Sequence, residues 1–267
     1  MISALHAKED LLNDLKRLGI RPGDGIFVHS SMKAIGYTVG GPRTVVEALL
    51  QSVAERGLIA MPGFSTDAYF PPDLEKADLS PEDIEWIENA VPGFDPHRSP
   101  TSGVGIVAET FRTWPDTHRS AHPAVSVCLN GADAAHYASD HSLAWATGEH
   151  SPIGRLLNRP STKILLIGVG WNRCTPLHTA ETFAKHRRTK TRRMKTGGSK
   201  GKWVEEPDVA DDVNRLFPAV GAAFEQTGAV TFGTFGAAQC RVCNLKDLIE
   251  FASVWIDRAN EESGDRR

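Results

Sequence analysis

The stretch KILLIGVGWNRCTPLHTAETFAKHR, residues 163–187, constrains this chain more than any other. Its first part, residues 163–170, is an apolar run that ends in glycine, the pattern of a strand buried on both faces of an α/β sheet. Strands of that kind deliver function at their carboxyl ends. WNRC follows, then Thr175 and Pro176, which suit an N-cap with proline at the first helical position. A helix is therefore expected to begin beside the end of the strand. His178 and Glu181 stand three apart in it and share a helical face. A carboxylate beside an imidazole raises its basicity and fixes its orientation, which makes the pair a candidate general base. The same two residues also read as a satisfied core histidine and a first-turn acid favoured by the helix dipole. No HExxH occurs, so the helical zinc-protease pattern is excluded.

GVGWNRCTPLHTAE resembles the signature of the aminoglycoside 3-N-acetyltransferase family, whose members transfer an acetyl group from acetyl-CoA to an amine of an aminocyclitol antibiotic. GIFVHSSMKAIGYTVGG, RSAHPAVS, GEHSPIGRLL and GAAQCRVCNLKDLIEF resemble it too, in the family's order and spacing, from about residue 18 to residue 255. The resemblance implies one α/β domain over residues 1–267, with a central mixed β-sheet flanked by helices. It implies acetyl-CoA as co-substrate without a metal, and an aminoglycoside as acceptor. His178 then acts as general base polarised by Glu181, Thr175 supports the intermediate, and the amine attacks directly within a ternary complex.

The rest of the chain is read against that expectation. At 267 residues, with 40% hydrophobic and 24% charged content, it is long enough for one large α/β domain, and no apolar run reaches membrane-span length. MISALHAKED lacks the basic start and apolar core of a signal peptide, so a cytoplasmic monomer or homodimer is expected. A net charge of −3 argues against nucleic acid as main partner. Four cysteines do not make a secreted disulfide framework, and Cys240 and Cys243 in CRVC face opposite sides of a strand-like run.

A first helix capped by Ser3 is expected to end at Gly19. A strand over residues 25–29 then feeds HSSMKAIGYTVGG, a loop whose free N–H groups can approach a phosphate, before a helix over residues 42–56. By resemblance Ser30, Ser31, Lys33 and Gly36 contact coenzyme A, as do Ser120 and His122 in RSAHP. Residues 58–62 form a second strand, and a strongly acidic segment follows. A charge run is usually a solvated face, but a polycationic acceptor calls for a negative cleft. Asp67 is the best candidate for it, with Tyr69 beside it, then Glu85 and Glu88. Residues 101–112 read as a turn and helix, 125–129 as a strand, and 132–139 and HSPIGRLL as helices.

Residues 185–202 are basic, either a solvated loop or a contact to coenzyme A phosphates or RNA. GGSKG inside that run lacks the apolar flank of a nucleophile elbow, and no histidine follows Ser199. A helix over 209–227, a strand pair over 229–244 and an amphipathic helix over 245–257 close the chain. Two other readings remain open: an acyltransferase of the same fold with a different amine acceptor, and a polyanion-binding protein acting through the basic run.

Overall fold

The computed structural model describes residues 5–71, 74, 77–197 and 200–263. Ser3, expected as a cap, and Gly198 and Ser199 of GGSKG lie outside these. The architecture grows from three apolar runs. Gly25–Ser30 (β2), Leu58–Pro62 (β4) and Thr162–Ile167 (β7) pair in parallel, with β2 in the middle. In each, alternate side chains enter different cores. Phe27, Leu58, Ala60, Ile164 and Leu166 point to one, and Ile26, Val28, Ile59, Met61, Leu165 and Ile167 to the other. That is why the runs show no polar alternation, as expected for strands covered on both faces.

Antiparallel strands extend this centre on both sides. Val127–Gly131 (β6) pairs with β4 and His118–Arg119 (β5) with β6, while Ala238–Asn244 (β11) pairs with β7 and Thr231–Phe235 (β10) with β11. The result is a seven-stranded mixed sheet in the order β10-β11-β7-β2-β4-β6-β5. One face is covered by Lys8–Arg17 (α1), Gly41–Val53 (α3) and Ile106–Arg112 (α5), whose leucines, valines and Phe111 fill the second core. Leu177–Phe183 (α8), Phe217–Glu225 (α9) and Leu245–Ser263 (α10) cover the other. Cys240 and Cys243 go to opposite cores, and all four cysteines are free and buried.

Two expectations change. The basic run is not a loop: Thr189–Lys195 (β8) pairs antiparallel with Trp203–Val209 (β9), so the helix expected from residue 209 starts only at Phe217. Four of its cations are paired with acids of the chain. Arg188 bonds Asp212, Lys190 bonds Asp211, Arg192 bonds Asp208 and Arg193 bonds Glu88. Lys195 is buried and donates to the carbonyls of Glu88, Asn89 and Val91, fixing the hairpin to the helix Pro81–Ala90 (α4). Burial of that ammonium is tolerable because carbonyl oxygens surround it.

Candidate active site

The parallel strands end side by side, and a cleft of about 610 Å³ opens at their carboxyl ends. It is lined by His29, Ser30 and Ser31 at the end of β2, Pro62 and Phe64 at the end of β4, and Val169, Asn172 and Arg173 after β7. A second pocket of about 350 Å³ lies under the β8–β9 hairpin, with Tyr69, Arg192, Asp208 and Asp211 in its wall. His178, Phe64, Ser102 and Val213 line both spaces. The candidate base thus sits where two clefts meet.

Local structure explains how it is held. Strand β7 leads through a single 3-10 turn, Trp171–Arg173, whose indole packs on α9 and donates from Nε1 to Glu225 at 2.7 Å. The turn returns the chain at once into α8, which puts His178 in its first turn. Glu181 accepts from His178 Nδ1 at 2.5 Å through Oε2, and from the Asp212 N–H at 3.0 Å through Oε1. The carboxylate is 3% exposed and so cannot swing away from the ring. Phe217 packs its ring 4.8 Å from the imidazole. With Nδ1–H donated to Glu181, Nε2 is left as the acceptor, and it has no protein partner among the described residues.

The sequence-based cap at Thr175 is not made. Helix α8 has no side-chain cap, and Thr175 contributes its backbone instead. Its carbonyl accepts from the His178 N–H at 2.9 Å, and its N–H donates to Nε2 of His29 at 3.2 Å. Pro176 sits just before the helix, so the first turn closes through backbone bonds. Burial, and then the neighbouring His178, pushes His29 down to about 3, which keeps its Nε2 a free acceptor for that bond. His29, which the sequence reading passed over, therefore ties the end of β2 to the start of α8.

The expected cofactor residues separate into groups. Ser30 and Ser31 line the large cleft, and Ser31 caps the short helix Met32–Ile35 (α2) through Ala34 N–H at 3.3 Å. The Ser31 N–H is taken by the Ile167 carbonyl at 2.9 Å, so it is no donor for a developing oxyanion. Lys33 is exposed and Gly36 lies beside His6 and Ala237; neither lines the cleft. Ser120 and His122 are fully buried in a polar network, with Ser120 bonded to Val127 N–H and His141, and His122 to Ala124 N–H, Val125 N–H and the Leu143 carbonyl. These bonds occupy the side chains expected at the cofactor, because RSAHP turns inward beneath β6. Gly103 and Gly105, at φ +73° and +87°, instead bring backbone to the cleft wall opposite α8.

The acceptor side also differs from expectation. Tyr69 lines the second pocket, and its hydroxyl accepts from Arg192 at 3.4 Å. Asp67 does not line it, Glu85 is exposed on α4, and Glu88 is bound to Arg193 at 2.6 Å beside a separate apolar pocket. The acids that do line it are Asp208 and Asp211, from an EEPDVADD run. Two runs of opposite charge flanking GGSKG are the sequence signal of a salt-bridged hairpin that would have located them. Among the described residues no group of three or more histidines, cysteines or acids is arranged to hold a metal, and no helix is long and apolar enough to cross a membrane.

An imidazole oriented by a buried carboxylate, where two clefts meet at the ends of parallel strands, is the arrangement of an enzyme that moves a group between two substrates. Residues 27–257 match the family described as Aminoglycoside 3-N-acetyltransferase. The chain is 32% identical over 251 residues to the SPbeta prophage-derived aminoglycoside N(3')-acetyltransferase-like protein YokD of Bacillus subtilis, covering 93% of this chain and 92% of that protein. It is 30% identical over 261 residues to aminoglycoside N(3)-acetyltransferase III of Pseudomonas aeruginosa, covering 94% of each. Among solved structures it superposes on AAC-VIa bound to sisomicin with a TM-score of 0.86 at 31% identity, covering 96% of this chain and 99% of that one. It superposes on the AAC-IIIb binary complex with CoASH with a TM-score of 0.85 at 28% identity, covering 96% and 98%. The chain belongs to the aminoglycoside 3-N-acetyltransferase family.

One prediction arises from the Glu181 geometry. Glu181→Gln keeps the shape of the side chain but removes the charge that favours the imidazolium. Turnover should then fall by about 10-fold in kcat, a smaller loss than that of removing the base. A kcat equal to wild type in steady-state kinetics would make Glu181 a structural residue only.

Proposed function

We propose that this protein is an acetyl-CoA-dependent N-acetyltransferase acting on the 3-amino group of an aminoglycoside, an activity that would confer resistance to the antibiotic. The observation that carries the reading is the position of His178 in the walls of both the large cleft and the pocket containing Asp208 and Asp211. The large cleft, bordered by glycine backbone and apolar side chains, suits a thin pantetheine arm. The smaller pocket presents carboxylates to an ammonium group. A relative solved with CoASH and another with sisomicin support the two assignments.

An alkylammonium cannot attack a thioester until it loses a proton. Nε2 of His178 takes that proton, and Glu181 stabilises the imidazolium that results. The amine nitrogen then adds to the thioester carbonyl, and the tetrahedral intermediate collapses by breaking the C–S bond. The nitrogen of the new amide gives up its second proton to solvent, and the proton held by His178 goes to the departing thiolate. Thr175 lies in the cleft wall next to the reacting centre, so its side chain is the candidate support for the oxyanion.

Direct transfer is favoured over an acetyl-enzyme because the one cysteine in the cleft is badly placed for nucleophilic work. Cys174 is fully buried, and burial, with Cys243 adding to it, holds its thiol well above the usual range. Cys174→Ser should keep most of the activity, and intact-mass measurement after incubation with acetyl-CoA alone should show no added acetyl group. A mass increase that disappears when an amine is added would transfer the nucleophilic role to Cys174.

A further inference from the structure

The acids of the acceptor pocket are not free. Asp208, 2% exposed, accepts from Arg192 Nε at 2.8 Å through one oxygen and from the Val209 N–H at 2.9 Å through the other. Asp211 is bonded by Lys190 and lies 3.3 Å from Arg192 Nη2. Burial alone would raise Asp211, but Arg192, His178 and Lys190 bring it below its ordinary range. In the wall Asp208 and Asp211 stand against Arg192, and behind it Glu181 stands against Lys190, which bonds Asp211 from outside the pocket, so about one unit of negative charge is uncompensated where the amine must bind. The acidic side chains that could have added to it, Asp67, Glu85 and Glu88, are not in this wall.

We propose that Lys190 and Arg192 act as charge caps that set acceptor specificity, leaving the pocket competent for a single ammonium group, so that further ammonium groups of an acceptor add little to binding. The inference rests on reading the site as an amine acetyltransferase. Its physical basis is that each cation bonded to the wall's acids, Arg192 within the wall and Lys190 behind it, cancels one carboxylate before substrate arrives, and Coulomb attraction scales with the charge that remains. Lys190 is the adjustable member: its side chain is 36% exposed on β8, whereas that of Arg192 is 13% exposed and locked between two acids.

The test compares wild type with Lys190→Gln and Asp211→Asn, using kanamycin as polyammonium acceptor and glucosamine as monoammonium acceptor, at about 20 and about 200 mM salt. Wild-type kcat/KM for kanamycin should fall no more than about 3-fold over that range. Lys190→Gln should raise the low-salt value for kanamycin by about 5-fold and steepen its salt dependence, with a much smaller gain for glucosamine. Asp211→Asn should move kanamycin the other way, by about 5-fold or more. A steep wild-type salt dependence, or a Lys190→Gln protein indistinguishable from wild type, overturns the proposal. If wild type acetylates no amine, the functional reading fails on its own; calorimetric kanamycin binding to the same three proteins then decides the charge caps, with the same order expected.

Discussion

Replacing His178 by alanine is expected to lower kcat at least ~100-fold while the affinity for coenzyme A stays within about 3-fold of wild type. The asymmetry follows from the geometry. His178 is one of many residues in the large cleft's wall, most of which come from the ends of β2, β4 and β7 and the segments after them. In the proposed mechanism the imidazole acts when the ammonium gives up its proton, an event of the transition state and not of cofactor binding. Alanine also leaves Glu181 with its Asp212 N–H bond, so the carboxylate keeps one partner and the helix keeps its place. Steady-state kinetics together with calorimetric binding of coenzyme A separates the two quantities. Turnover near wild type in His178→Ala would remove the base from the mechanism, and a large loss of coenzyme A affinity would make it a binding residue.

The second large effect is on stability in mild acid. Burial pushes His29 down to about 3, with His178 adding to the shift, and His122 down to about 4. His141 is pushed to about 3 by burial and by His122, whose ring lies 4.7 Å away. All three are neutral in the folded protein, whereas in the unfolded chain they take a proton near 6.5. The stability they contribute is therefore fully present above 6.5 and is lost as pH falls towards the folded values. By about pH 5 each costs about 2 kcal/mol relative to neutral pH, against a total stability of about 5–15 kcal/mol for a protein domain. The melting temperature should fall by roughly 10 °C or more between pH 7 and pH 5. Carboxylates such as Glu109, held at about 2 by Arg112, lose their stabilising charge only at lower pH, so the histidines own this window. A melting temperature that is flat from pH 7 to pH 5 would show that the buried imidazoles are open to water.

Much of the fold was legible because its central strands must be apolar on both faces. Residues 58–62 form a strand at the expected positions, residues 25–29 fall one short of the end of β2, and the run 163–170 overshoots the end of β7 by three. The His178–Glu181 pair was legible for the same kind of reason, since helical spacing alone puts them on one face. The acceptor pocket was not. Asp208 comes from the far strand of a hairpin and Asp211 from just beyond its end, and a run such as EEPDVADD carries no apolar alternation from which a strand could be read. Asp67 was a reasonable choice by proximity to β4, but the chain turns between Ser65 and Tyr69 and takes its side chain out of the pocket wall. Ser120 and His122 escaped for a different reason: a histidine before proline reads as a turn element, and only the packing shows that both its nitrogens are used inside the protein.

The central claim is that an acetyl group passes from acetyl-CoA to the 3-amino group of an aminoglycoside lying against His178. Incubating the protein with acetyl-CoA and kanamycin, then locating any new amide by mass spectrometry and NMR of the purified product, tests it most directly. One acetyl group per antibiotic molecule is expected, on the 3-nitrogen of the 2-deoxystreptamine ring, formed in step with release of free thiol. Thiol release without an acetylated product, or acetylation at another nitrogen, would contradict it.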